Sequence, residues 1–546
     1  MTTKRLFALL LLGSAGLLGL LGFGAASTEA VLVRIEFASL PLVPPDIRPG
    51  LFAVAELQDA WLAVLPEETA LRLADAGVGL EILDAQPAKK AYFLVRVRGQ
   101  GDWPVLERLG RTVRLDAATA LFWAGDREAR EILPADFEIA RVFLDTAIPL
   151  REAGGPAALL PALPARALDP AIVQLVAQVS QARLTATISD LEGFRTRYAS
   201  TAACESAGAY LYDAFSRLGL RTEYDPFIFS SYATRNIVAT LPGRVEPNRE
   251  IIVCGHYDST SNQRTTLAPG ADDNGSGTAA VLEIARVLAG SAFDYTVKFI
   301  CFSAEEWGLY GSQHYAAAAQ AAGEVILAVI NMDMIAFPDR SPWMLDIVRN
   351  TPSADLARHF VAAASAYAGL TVNTVAVSSW PYSDQSPFWN AGYAALCAIE
   401  NEEPGNPYYH KTTDTLSTLT MGYALRTVQA SLATTAELAR PASTPVSPSG
   451  VVVRSRISRS LYIRTKTVGL RWNANSDAVV GYHVYRTTTP GGPYERLTTA
   501  PQTATEIMDR FLDAGVTYYY AVSAVDAQGR ESRYSIEVAD SEATWN

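Results

Sequence analysis

Between residues 171 and 440, short β-rich runs alternate with other segments: IIVCG, VKFICFSA, VILAVINMD and AALCAIE each follow a helix-like or turn-rich stretch. Such apolar runs suit strands buried on both faces, and their alternation with helices argues an α/β domain with a central, largely parallel sheet covered by helices on both sides. In a sheet of this kind ligands bind at the rim beyond the carboxyl ends of the strands. The residues that follow each run are therefore the ones to inspect for chemistry.

Those residues are chemically selective. The chain has only five His. His256 follows EIIVC in the segment CGHYDS; Asp272 and Asp273 lie in GADDNGSG before an Ala-rich helical run; Glu305 and Glu306 follow VKFICFSA; Asp333 ends VILAVINM; His410 sits in NPYYHKTTDT beyond AALCAIE. Taken singly, each motif has an ordinary reading: a hydrogen-bonded surface pair for His-x-Asp, a turn and helix start for Asp-Asp-Asn-Gly, solvated charge for Glu-Glu. Together they converge on one sheet rim. Imidazole and carboxylate suit zinc-like divalent ions, whereas carboxylates this dense repel one another without cations. The count suits two metals, with His256 and Asp333 on one, Glu306 and His410 on the other, and Asp273 bridging. Glu305 is then left over as a general base for the attacking water. Asp258, two residues after His256, is placed to accept the imidazole N–H and fix its tautomer.

The segments NIVATLPG, CGHYDS, PGADDNGSGTAAVLE, FSAEEWGLYGS, NMDM, YSDQSPFWNAGYAAL and NPYYHKTTDT, in that order, resemble the secreted co-catalytic zinc aminopeptidases of peptidase family M28. The likeness spans about residues 175 to 440. It implies two Zn2+ per chain, the same ligands (His256, Asp273, Glu306, Asp333, His410), Glu305 as general base, a cis Asp273–Asn274 peptide, and Tyr409 as a hydrogen-bond donor to the oxyanion. The sequence departs from the family pattern near Gln385 and Tyr393, which bears on substrate preference rather than catalysis. Trp380, Tyr382 and Phe388 are the candidate lining of a pocket for an apolar N-terminal side chain, with core packing as the other reading.

The flanks complete the layout. Lys4 and Arg5, an uncharged Leu- and Gly-rich run, and small residues up to Ala26 read as a signal peptide over residues 1–26, with an uncleaved N-terminal anchor as its rival. The expected location is thus secreted or periplasmic. Residues 31–140 twice show a strand-helix-strand pattern and predict a small α+β domain of split βαβ type, with a loose likeness to propeptides that block the cleft. The Pro- and Ala-rich stretch 149–170 reads as a linker, followed by the peptidase-like domain at 171–440 and a Pro- and Ser-rich linker at 441–450. Over 451–546, strand follows strand; LRWNAN, GYHVYR and LDAGVTYYYAVSAVD, with Trp472, Tyr482 and Tyr518, resemble a fibronectin type III sandwich that would bind an unknown surface or protein.

Lys plus Arg at 45 against Asp plus Glu at 57 leaves a net charge of −12, which argues against nucleic acid or an anionic membrane as partner. The absence of a G-x-S-x-G elbow argues against a serine hydrolase. The expected function is that of an exported metallo-aminopeptidase acting on peptide or protein N-termini. A glutaminyl-peptide cyclase and a non-catalytic, receptor-like or binding protein are the alternatives.

Overall fold

The computed structural model describes residues 30–144, 148–149, 168–338, 340–377, 379–400, 405–439, 445, 447–459, 464–475, 478–527, 529, 531–532 and 534–540. The expected signal peptide and most of the 149–170 linker lie outside them. Among the described residues no helix is long and apolar enough to cross a membrane.

The central element is an eight-stranded sheet in the spatial order Arg221–Phe229, Tyr232–Leu241, Tyr295–Phe302, Glu246–His256, Val325–Asp333, Ala395–Ile399, Met344–Arg349, Thr371–Ala376. Its four middle strands run parallel, as expected. Both flanks depart from that expectation: the Arg221–Leu241 hairpin joins the sheet antiparallel, and Met344–Arg349 pairs antiparallel with Ala395–Ile399. The sheet is therefore mixed. Every residue of Tyr295–Phe302 is buried, as a strand covered on both faces requires. The larger core lies on one face, where helices Ala202–Arg217, Gly277–Leu288 and Met421–Ala439 pack; Phe302, Phe388 and Trp389 belong to a smaller cluster on the other. Cys204, Cys254, Cys301 and Cys397 are all free and buried.

Residues 30–142 fold as two related modules. Strand Ala30–Glu36 lies between Ala60–Pro66 and Leu80–Asp84, antiparallel to both, and helix Glu67–Asp75 joins the outer pair. Its acidic first turn and Arg72 in the last turn match the helix dipole. Strand Thr119–Trp123 lies in the same way between Tyr92–Arg96 and Arg111–Arg114, joined by helix Asp102–Leu109, and Ile139–Val142 extends the edge. Each module is a split βαβ unit with a sheet of its own.

Beyond residue 450, a three-stranded sheet (Val452–Arg459, Arg464–Arg471, Glu506–Asp513) and a four-stranded sheet (Glu495–Arg496, Gly481–Thr487, Tyr519–Val525, Val538–Ala539) share one core. Trp472 packs edge-on against Tyr482, and the Tyr518 hydroxyl accepts the Asp513 N–H at 3.2 Å.

Candidate active site

The strand ends deliver their side chains to one place. His256 is the last residue of its strand, Asp333 the last of the next, and Glu305 and Glu306 follow Phe302 by a short turn. His256 Nε2 lies 3.4 Å from Asp273 Oδ1, 3.3 Å from Asp333 Oδ1 and 3.8 Å from Glu305 Oε2. His410 Nε2 lies 3.1 Å from both Asp273 Oδ2 and Glu306 Oε2. The Asp273 carboxylate thus has one oxygen toward each imidazole. Ligand atoms of His256, Glu305 and Asp333 fall within 4.8 Å of one another, as do those of Asp273, Glu306 and His410.

The backbone around these groups is held by buried polar side chains. Asp414 accepts the N–H groups of Asp272 (2.9 Å) and Asp273 (3.0 Å), and the Asp273–Asn274 peptide is cis. The Asn274 amide donates to the Met332 carbonyl at 2.9 Å and accepts the Gly277 N–H at 2.8 Å. Arg197, fully buried, donates to the carbonyls of Tyr257, Pro269 and Gly270. Ser383 donates to Asp333 Oδ2 at 2.5 Å. For Asp258 the structure corrects the sequence-based role: the near partner of His256 Nδ1 is the main-chain carbonyl of Asp258, at 3.1 Å, with the carboxylate 3.6 Å away. The carboxylate instead accepts the N–H groups of Glu305 (3.1 Å) and Glu306 (3.2 Å). A residue between a strand end and the next loop offers a carbonyl as well as a side chain, and spacing alone does not choose between them.

The donor set fits a cation. Four carboxylates and two imidazoles share a buried space, and burial pushes Glu305 and Glu306 upward from their ordinary range. Burial also works against a charged His256, yet Glu305 and Asp333 beside it raise it well above its usual value. Glu306 Oε1 and Asp333 Oδ1 are buried with no hydrogen-bond partner, a costly arrangement unless a cation takes the place of donors. Imidazole nitrogen and carboxylate oxygen are zinc ligands.

In front of this cluster lies a cavity of about 580 Å3. Trp380 and Tyr382 line it, as expected, together with Met334, Ile399, Glu400 and Tyr409. Phe388 does not: it is fully buried against Phe302 and Tyr315, because helix Gln385–Ala391 turns that side chain into the core. Tyr409 stacks on His410, with ring centroids 3.7 Å apart. Of the remaining His, His314 pairs with Asp225 on the partly exposed face of its helix, His359 is buried in helix Ala354–Ala363, and His483 bonds Thr498.

The sequence set residues 31–140 against the cleft only through a loose propeptide likeness and named none of the residues that face it. They contribute Arg96, Val97, Arg98, Ala118 and Glu138 to the cavity lining. Their neighbours reach the ligands from behind. The Ala135 carbonyl is the partner of His410 Nδ1, the nitrogen turned away from Asp273 and Glu306. Arg130, 2% exposed, donates to the main-chain carbonyls of Glu306, Ala135 and Phe137 and lies 3.6 Å from Glu306 Oε2. Nothing in the local sequence around Arg130 marks it as part of a site 176 residues away.

A sheet rim bearing two imidazoles and a set of buried carboxylates is the architecture of a metal-dependent hydrolase. Residues 236–435 match the model of peptidase family M28. A probable leucine aminopeptidase of Trichophyton verrucosum is 26% identical over 278 residues, covering 48% of this chain and 72% of its own. Leucine aminopeptidase 1 of Ajellomyces capsulatus is 26% identical over 289 residues, covering 49% and 74%. A probable zinc metalloprotease of Pyrenophora teres f. teres is 31% identical over 192 residues, covering 31% and 41%. Among solved structures, the Legionella pneumophila LapA aminopeptidase shares the fold, with a TM-score of 0.54 at 18% identity over 64% of this chain and 98% of that one. The chain is a zinc-dependent peptide hydrolase whose residues 236–435 are similar to the M28 peptidases.

Proposed function

We propose that the protein is an exported aminopeptidase that binds two zinc ions and removes single residues, preferentially apolar ones, from the N-termini of peptides. The observation that carries this reading is the Asp273 carboxylate set between His256 and His410, each imidazole with a second carboxylate beside it and Glu305 at the edge. His256 and Asp333 would hold one ion, Glu306 and His410 the other, with Asp273 shared. When bound, zinc supplies positive charge that polarises a carbonyl and makes water more acidic. Glu305 takes the proton of the attacking water, whose oxygen adds to the scissile carbonyl carbon. The proton then passes to the leaving nitrogen as the C–N bond breaks. Asp258 fixes Glu305 by holding its N–H, and the Tyr409 hydroxyl is the donor assigned to the carbonyl oxygen.

The apolar preference rests on Met334, Trp380, Tyr382 and Ile399 in the cavity wall and on the leucine aminopeptidase names of the curated relatives. Export rests on the leader-like residues 1–26. The paired sheets beyond residue 450, with the Tyr518 hydroxyl bonded five residues upstream, support a fibronectin type III-like binding domain.

The test pairs one peptide with a free N-terminus and the same peptide N-acetylated, with products followed by mass spectrometry. Stepwise shortening of the free peptide alone supports the proposal. Cleavage of both shows that the amine is not read and overturns it. Ammonia loss from a Gln-initiated peptide without shortening would make the protein a glutaminyl cyclase instead.

A further inference from the structure

The two halves of the cluster are held from different sides. Around His256 and Asp333 the partners come from the peptidase domain: the Asp258 carbonyl lies 3.1 Å from His256 Nδ1, Thr278 donates to the His256 carbonyl at 2.6 Å, and Ser383 donates to Asp333 Oδ2. Around Glu306 and His410 the N-terminal region takes part. The partner of His410 Nδ1 is the Ala135 carbonyl. A carbonyl can only accept, so Nδ1 carries the proton and Nε2 offers its lone pair toward Asp273 and Glu306, the tautomer that a metal-ligating imidazole needs. Glu306 is held at its N–H by Asp258 of the peptidase domain and at its carbonyl by Arg130, whose Nη2 also lies 3.6 Å from Glu306 Oε2.

The segment that makes these contacts is itself fixed. Arg130 Nη1 donates to the carbonyls of Ala135 at 3.0 Å and Phe137 at 3.1 Å. One guanidinium therefore ties the carbonyl that meets His410 to the backbone that carries Glu306. A buried charge is costly unless hydrogen bonds compensate it, and Arg130 directs its donors to three carbonyls. From the peptidase side Arg264 Nη1 donates to the Arg130 carbonyl and Nη2 to the Leu133 carbonyl at 3.4 Å. Among the described residues, the contacts of this segment reach the Glu306–His410 pair and not His256 or Asp333.

We infer that residues 130–137 complete one of the two metal sites and not the other: Arg130, as a positioning residue, and the Ala135 carbonyl hold Glu306 and His410 in place for their ion, while the site of His256 and Asp333 stands without them. The inference rests on the two-zinc reading above. It adds that the N-terminal region belongs to the working enzyme and decides whether the second ion stays. Groups that orient a ligand from behind change metal affinity by about 10- to 100-fold, and here that effect falls on one site because the contacts do. Asp273, shared by both sites, is held from the peptidase domain by Asp414, so loosening residues 130–137 leaves it in place for the other ion.

The test titrates zinc into the full-length, metal-free protein against a chelating indicator. Histidine ring 15N signals, assigned by the one that each of His256→Gln and His410→Gln removes, report which imidazole each step engages. The wild type is expected to take up two zinc ions. In Arg130→Met the step that moves His410 should weaken about 10- to 100-fold, while the step that moves His256 stays within about threefold. Arg130→Lys, which keeps the charge but not the fork, is expected to fall between wild type and Met. Ser383→Ala, acting on Asp333, should show the reverse pattern. Circular dichroism shows whether each variant is folded. If Arg130→Met is not, Arg264→Gln decides: it loosens the same segment from outside the site and should weaken the His410 step alone, by a smaller factor. Equal weakening of both steps in a folded variant, or of neither, would overturn the inference while leaving the two-zinc reading intact. A wild type that takes up one zinc ion would instead remove that reading, and the inference with it.

Discussion

Glu305 and Asp258 illustrate how much of this site is decided one residue at a time. Glu305 lies 3.8 Å from His256 Nε2, further than Asp273 or Asp333, and it is buried. A general base contributes about 10²- to 10⁴-fold. Glu305→Gln is therefore expected to lower kcat by that factor while zinc content, measured by atomic emission, stays at the wild-type level. Wild-type turnover in that variant would sink the assignment. Asp258→Asn replaces one acceptor oxygen by an amide that confronts the N–H of Glu305 or Glu306, so both the base and a ligand lose their anchor. The expected loss is about 10- to 100-fold in activity, with weaker zinc retention under a chelator. A drop in turnover with unaltered zinc retention would confine Asp258 to the base alone. The gathered carboxylates and imidazoles were legible in the sequence because each follows a strand or opens a helix, where side chains have one direction to go. Asp258 was half legible: its place was right and its bonding was not, since its carbonyl and its carboxylate compete for the same neighbour. Phe388 was misread because an aromatic in a seven-residue helix carries no sign of which face is inward.

At the scale of elements, two contacts fix how the sheet meets its helices. Gly277 opens helix Gly277–Leu288 directly against the Met332 carbonyl and the Asn274 side chain, and a Cβ there would collide with both. Gly277→Ala forces apart the segment carrying Asp273 and the strand carrying Asp333. It is expected to cost about 1–3 kcal/mol in urea unfolding and to weaken zinc retention. On the other side of the sheet, His314 in helix Tyr310–Ala322 bonds Asp225 in strand Arg221–Phe229 at 3.1 Å, and this bond raises the imidazole above its usual 6.5. Protonation thus favours the folded state. The stabilisation is fully present below about 6.5 and is lost as pH rises through the raised value. The gap in Tm between wild type and His314→Gln is expected to be small, positive near about pH 5.5 and narrower near about pH 9. A gap that widens with pH would contradict the pairing. The parallel middle of the sheet was readable from runs of apolar residues. The antiparallel flanks were not, because a strand's apolar content is silent on the direction of its partner.

At the scale of the whole molecule, the N-terminal modules and the peptidase domain share a core as well as a cavity. Leu309, three residues after Glu306, is 4% exposed within the cluster formed by Leu32, Tyr92, Leu94, Leu121 and Trp123. Around it the Arg141 N–H donates to the Gly308 carbonyl at 3.2 Å, and Tyr310 donates to Glu128 at 2.8 Å. The likeness to cleft-blocking propeptides pointed to docking near the site, but no residue of the contact was marked in the sequence. Arg96 ends the strand Tyr92–Arg96 and Arg98 lies two residues past it, and nothing in YFLVRVR says which domain these residues meet. The physical consequence is that metal retention depends on a distant hydrophobic contact. If Leu309 seats the modules, its truncation loosens the Ala135 carbonyl from His410 and Arg130 from Glu306 without altering any ligand. Leu309→Ala is expected to destabilise the docked arrangement by about 2–5 kcal/mol, seen as faster amide exchange in residues 134–142. Zinc should then be stripped by a chelator about 10- to 100-fold faster. Faster exchange with unchanged stripping would show that the ligands are held by the peptidase domain alone.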